Sequence, residues 1–333
     1  MKKLLLIVLV FNFIACTNES TNESTNESTN ESTNESTPST TSLSKNSFNP
    51  APEPDDYLKA KHPQFLESRK DLEKEQKSLT AKKAAFVTTY VPDAAFRQAL
   101  LDLGAATDVL SPGDNYIEID NTRGGLYLAS KGISNLTGIN SFTSLVQLTV
   151  TGNNLTTLDI SGLTNLRILE CHYNQITSLN LTANTKLSEI WCHSNALTSL
   201  ILPSSTNLWG VWCYSNSLTT LNLNGNTGIT SLFIQGNQLT SFNFAPYVNL
   251  TLTNVSSNKW VTLNFDSNTK LTMLQCYSNT FLTDLYMRSA TANTINSQNF
   301  SGNKFGLKIH VNSIFLATAT SLWPNYGTAT YVL

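Results

Sequence analysis

From residue 123 onward, apolar residues return at a spacing that neither an amphipathic helix nor a single strand produces. Rungs of 21 residues begin at Leu145, Leu166, Leu187, Leu208, Ile229, Leu250 and Leu271. The clearest read LRILECHYNQITSLNLTANTK (166–186), LSEIWCHSNALTSLILPSSTN (187–207) and LWGVWCYSNSLTTLNLNGNTG (208–228). A 22-residue rung from Arg123 opens the series, with Leu126, Leu128, Ile133, Leu136 and Ile139 in matching places. A degenerate one closes it around Phe300–Phe305. A period of this length predicts a solenoid, in which each unit buries its apolar side only by stacking on its neighbours. Positions four and six of a rung then face the core, and positions three, five and seven face outward.

Asn stands at the ninth position of seven successive rungs: Asn153, Asn174, Asn195, Asn216, Asn237, Asn258 and Asn279. The chain must turn there, and buried backbone groups in the turn need partners. An amide offers both donor and acceptor, so a stacked column of Asn predicts satisfied turns. In the last of these rungs Asp284 falls where Leu is expected and Leu285 and Met287 are displaced by one, which puts a regular geometry in question beyond about residue 280.

Two helices are predicted ahead of the rungs. Residues 92–104 have Asp93 as N-cap, Phe96, Leu100 and Leu103 on one face and Gly104 as a stop, the properties of a cap over the first apolar layer. Residues 64–86 are densely charged, and Phe65, Leu72, Leu79 and Phe86 recur every seven residues without the second apolar position of a coiled coil. That thin stripe predicts a solvated stalk leaning on the solenoid, with a dimer-forming coil as the alternative. Upstream lie five copies of Thr-Asn-Glu-Ser (17–36) and a Pro-rich stretch, a composition with nothing to bury. As a coil, residues 17–54 would reach about 35 Å.

The first residues read as an export signal: Met1-Lys2-Lys3, an apolar run from Leu4 to Ile14, then Ala15-Cys16. The run is too short for a spanning helix of roughly 20 residues. Phe13-Ile14-Ala15-Cys16 resembles the lipobox of bacterial lipoproteins, although Phe13 stands where Leu is commoner. The resemblance implies cleavage before Cys16 and lipid attachment to it. An ordinary signal peptide with Cys16 incidental is the other reading.

The rung pattern L-x-x-L-x-C/V-x-x-N-x-L resembles the leucine-rich repeat. The opening stretch LYLASKGISNLTGINSFTSL and the tail IHVNSIFLATATSLWPNYGTATYV look like those of internalin-like and Bacteroidetes surface leucine-rich-repeat proteins. That resemblance implies a right-handed solenoid with a parallel sheet on its concave face and an α-helical N-terminal cap. It also implies a recognition or adhesion role without catalytic machinery. The expected organisation is a signal peptide (1–15), polar tether (16–54), helical stalk (55–89), N-terminal cap (90–122), repeats (123–305) and C-terminal cap (306–333).

Composition narrows the function classes. Charged residues make up 13% of the chain and the formal charge is −2, so nucleic acid has no electrostatic attraction to exploit. Cys171, Cys192, Cys213 and Cys276 all sit at position six, facing inward, where a thiol acts as a small hydrophobe. Parallel rungs about 4.8 Å apart hold such side chains too far apart for an unstrained disulfide. Free core thiols are therefore expected, and no zinc-ligand spacing is present. No phosphate loop, nucleophile elbow or zincin motif appears, and no catalytic residue, cofactor or metal is assigned.

Position five reads Tyr127, Thr149, Glu170, Trp191, Trp212 and Phe233 from the opening rung onward, and position seven gives His172, His193 and Tyr214 in the middle rungs. With Tyr173 beside His172 and Glu189 at the margin, these form a two-row aromatic cluster at the centre of the concave face. Aromatic side chains on an open face offer large contact area at little entropic cost, to a protein or to a sugar ring. The expected ligand site is thus Tyr127, Glu170, His172, Tyr173, Glu189, Trp191, His193, Trp212, Tyr214 and Phe233. The competing explanation is cross-strand pairing that serves the ladder alone, and for the whole chain a passive envelope spacer. A monomer at the cell envelope is expected, lipid-anchored on the outer membrane and facing outward.

Overall fold

The computed structural model describes residues 63–80, 86–107, 114–289, 297–313, 316 and 329–333. The expected signal peptide, Cys16 and the tether of residues 16–54 lie outside these, as do the side chains of Phe65 and Leu79. Everything described belongs to one compact unit, Glu53–Leu333.

The repeat closes into a leucine-rich-repeat solenoid. Each rung contributes a three-residue strand from its positions three to five, and nine of these pair in parallel: Gly125–Tyr127, Gln147–Thr149, Ile168–Glu170, Glu189–Trp191, Gly210–Trp212, Ser231–Phe233, Leu252–Asn254, Met273–Gln275 and Ser297–Asn299. Equivalent residues are in register, so that Glu170, Trp191, Trp212 and Phe233 stand side by side. Behind the sheet, positions one, four, six, eleven, fourteen and sixteen bury one continuous core, in the second 21-residue rung Leu166, Leu169, Cys171, Ile176, Leu179 and Leu181. The four cysteines of the repeat are buried and free. Burial pushes the Cys171 and Cys213 thiols up to about 12, far from thiolate reactivity.

The Asn column does what its spacing predicts. Asn195 Nδ2 donates to the carbonyls of Cys171 and Cys192, and its Oδ1 accepts from Ile176 N–H, tying adjacent rungs together. Asn174, Asn216, Asn237 and Asn258 repeat the arrangement. One residue before each Asn the backbone enters the left-handed region: Gly152, Tyr173, Ser194, Ser215, Gly236, Ser257 and Ser278 all have positive φ.

The irregular last rung is absorbed locally. On the back of the solenoid Leu263 pairs with Leu285, a spacing of 22 rather than 21, and the exposed Phe281 lies in the turn that takes up the extra residue. Pairing then resumes through Lys308–His310 and Thr330–Val332. Asn303, in the degenerate rung, accepts from Asn279 N–H and extends the Asn column.

The N-terminal cap contains more than its predicted helix. Helix α2 (Ala94–Asp102) is capped as expected by Asp93, whose Oδ1 accepts from Phe96 N–H, and it buries Phe96 and Leu100. It packs with an antiparallel three-stranded sheet of Phe86–Tyr90, Tyr116–Asp120 and Ala106–Thr107. The helix expected through residue 86 is helix α1 (Pro63–Thr80), and Phe86 opens a strand instead. The β-branched and aromatic run Val87-Thr88-Thr89-Tyr90 favours a strand once Tyr116–Asp120 offers it an edge.

Candidate functional site

The concave rows form as their register requires. Trp191 and Trp212 stack with centroids 3.9 Å apart and planes 10° apart, and Phe233 continues the row at 6.3 Å. Beside them His172, His193 and Tyr214 stack at 4.3 and 4.1 Å. Tyr173 meets both His172 and His193 edge-on at 5.3 Å. Nine of the ten expected site residues thus lie in four adjacent rungs. Tyr127 stands apart toward the cap.

The rows are buried rather than open, which corrects the expectation of an exposed aromatic patch. Trp212 is 0% exposed and Trp191 3%, and Phe233, His193 and Tyr214 are likewise buried. The Trp212 indole leans along its strand over Gly210 while stacked face to face on Trp191. A Cβ on Gly210 would come within 2.2 Å of Trp212 Cη2, so the indole uses the space a side chain at position three would fill. Together with Trp209, Leu252 and Met273 these rings make a second apolar layer on the concave side.

Two aromatic residues of the predicted site stay open: Tyr173 at 51% and Tyr127 at 48% exposure. Tyr173 has φ 54°, at a position where the other 21-residue rungs place Gly or Ser. A bulky residue in the left-handed region is disfavoured by roughly 1–2 kcal/mol. Tyr127 Oη donates to Gln147 Oε1 and accepts from Gln76 Nε2 of helix α1.

Helix α1 itself lies across the concave strands, a placement the charged, thinly apolar sequence gave no means of locating. Gln64 accepts from Thr230 Oγ1, Ser68 Oγ donates to Glu189 Oε1 at 2.5 Å, and Gln76 reaches Gln147. Arg69 lies 2.8 Å from Glu170 Oε1 and 3.4 Å from Glu189 Oε2. Leu72 is buried against Val146 and Ile168. Residues 64 to 76 span about 18 Å of helix, and rungs rise about 4.8 Å each, so one helix face meets four to five rungs.

Electrostatics follow burial. His172 is lowered to about 4 and His193 to about 2, because desolvation disfavours imidazolium; Glu170 partly opposes this at His172. Burial raises the Glu189 carboxyl, while Arg69, Ser68 and the Trp191 indole N–H hold it down. Among the described residues no three His, Cys, Asp or Glu side chains converge as metal ligands, and no helix is long and apolar enough to cross a membrane.

No family model matches the chain, and no curated protein matches it in sequence. Solved structures do. An internalin (inlF) of Listeria monocytogenes superposes with a TM-score of 0.53 at 19% identity, over 73% of this chain and 77% of that one. Internalin C2 of the same organism gives 0.45 at 16% identity, over 69% and 100%. The functional domain of InlJ, also of Listeria monocytogenes and described as including a cysteine ladder, gives 0.30 at 19% identity, over 74% and 81%. The first of these, together with the rung geometry, establishes the architecture: this chain has the leucine-rich-repeat solenoid fold of internalins.

Proposed function

We propose that the chain is a cell-surface recognition or adhesion protein that binds a protein or glycan ligand on its concave face, anchored by lipid on Cys16 at the outer membrane with residues 16–54 as its tether. The observation that carries this reading is Tyr173. An exposed aromatic ring held in left-handed backbone, where sister rungs use Gly or Ser, costs stability without closing the core. Such a cost is sustained where the ring serves a partner. It projects beside the imidazoles of His172 and His193, so the open edge of the aromatic rows combines stacking area with polar groups.

The burial of Trp191, Trp212 and Phe233 favours a second reading, in which those rings serve the ladder and the chain is an envelope spacer. One experiment separates the two. The chain from residue 17 onward is tested against a glycan array and against host or partner-cell surfaces, beside Tyr173→Ala and Trp191→Ala/Trp212→Ala. Recognition predicts a hit that Tyr173→Ala weakens at least tenfold with an unchanged unfolding midpoint. Equal binding by both variants moves the site elsewhere, and no binding by the parent favours the spacer.

A further inference from the structure

A fully buried carboxylate on an outward-facing sheet position calls for an explanation. Glu189 occupies position three, where other rungs place Gln147, Ile168, Gly210, Ser231, Leu252 and Met273, so the fold does not require an acid there. Its side chain is 0% exposed. Burying a carboxylate costs several kcal/mol unless a cation and hydrogen bonds answer it. Arg69 answers it, bridging to Glu170 one rung away, while Ser68 Oγ and Trp191 Nε1 donate to its two oxygens. Three residues beyond Arg69, one turn along the same helix face, Leu72 sits on an apolar shelf of Val146 and Ile168. The concave face therefore presents a carboxylate pair of adjacent rungs, an indole donor and a hydrophobic seat, spaced for Arg and Leu one helical turn apart.

We propose that this surface is a recognition site for an arginine-bearing helix of a partner protein, and that helix α1 holds it in cis as a displaceable competitor. The inference rests on the concave-face reading above and names its ligand class. Guanidinium is the group that two neighbouring carboxylates recognise with direction as well as charge. A glycan supplies neither the cation nor the leucine.

The seam of α1 suits displacement. The ion pair of Glu75 with Arg167 is 34% and 41% exposed and so contributes little. A groove of about 500 Å³ runs beside the helix, lined by Gln64, Glu67, Asp71, Arg167, Lys186 and Trp209, and admits water to its edge. The helix carries charges along most of its length, so it is soluble when released. Covalent attachment gives the cis helix an effective concentration on the order of millimolar, enough to occupy the site without high intrinsic affinity.

The test uses the whole chain carrying Arg69→Ala/Leu72→Ala as receptor and a fluorescent peptide of residues 63–80 as probe. The variant should bind the peptide saturably, and the parent at least tenfold more weakly because its own helix competes. Adding Glu170→Gln/Glu189→Gln to the variant, or Arg69→Ala to the peptide, should abolish binding. Near-ultraviolet circular dichroism checks that the variant is folded. Should it not be, hydrogen exchange of the parent replaces it: excess peptide should accelerate exchange in residues 63–80, and the Arg69→Ala peptide should not. A folded variant that ignores the peptide, a parent that binds it equally well, or exchange unmoved by peptide overturns the proposal. A glycan hit that excess peptide fails to compete also overturns it, and leaves the concave-face reading standing.

Discussion

At the scale of single residues, Asn195 and Tyr173 show opposite relations between a side chain and the turn that holds it. Asn195 donates to the Cys171 carbonyl and accepts from the Ile176 N–H of the preceding rung, and donates to the Cys192 and His193 carbonyls of its own. Leaving buried backbone groups unpaired costs about 1–3 kcal/mol each, so Asn195→Ala should lower stability by at least about 3 kcal/mol in urea unfolding. Asn195→Asp should not rescue it, because a carboxylate has no donor for the carbonyls. The exposed Asn180, replaced by Ala, is the control. Tyr173, by contrast, is tolerated by its turn rather than required. Tyr173→Gly should raise stability by about 0.5–1 kcal/mol by removing the left-handed strain, less the entropy glycine adds to the unfolded chain. A net loss would mean that its edge contacts with His172 and His193 outweigh the strain.

At the scale of elements, the histidine row sets a pH dependence. His172 and His193 stay neutral in the fold down to about 4 and about 2, whereas the unfolded chain takes up protons from about 6.5 downward. The folded pKa values are lowered, so the stabilisation is fully present above pH 6.5 and is lost as pH falls. The fall should be about 1–3 kcal/mol for the pair between pH 6.5 and 5. Glu189 works the other way, since burial raises its carboxyl, and blunts the decline toward the acid end. Glu170, Tyr173 and Tyr214 are the other titratable groups facing the row. Urea midpoints measured across this window should fall with pH for the parent and stay nearly flat for His172→Asn/His193→Asn. A second column of amides, Asn184, Asn226 and Asn268, caps back turns by donating to Ile160 and Leu163, Pro203 and Leu223, and Phe244 and Tyr247 carbonyls. It recurs every second rung, at 42 residues, and a search at 21 passes over it.

At the scale of the whole molecule, stability belongs to neighbour contacts, so the ends decide whether the stack holds. The cap buries Phe96, Leu100, Ile117 and Ile119 in the same core as Leu126 and Leu128 of the opening rung. Phe96→Ala should cost about 3–5 kcal/mol, and it should open the first rungs before the rest. Hydrogen exchange would then show lost protection from residue 86 to about 165 ahead of the central strands. A uniform loss along the solenoid would mean that the rungs unfold as a single unit.

The sequence by itself determined whatever repeats: the 21-residue rung, the inward Leu and Cys positions, the Asn column and the capped helix over the first layer. Those features depend on local geometry and on neighbours of the same kind, and periodicity displays both. It also determined which aromatics share a row, because register in a parallel ladder is fixed by the rung length. Only the tertiary structure decided that Trp191 and Trp212 are stacked and buried, since that depends on the space above Gly210 in three dimensions. It alone brought Arg69 to Glu170 and Glu189, across more than a hundred residues of chain, and drew Phe86 into a cap sheet. Such contacts join segments that do not repeat, and no spacing along the chain encodes which surface a charged helix will meet.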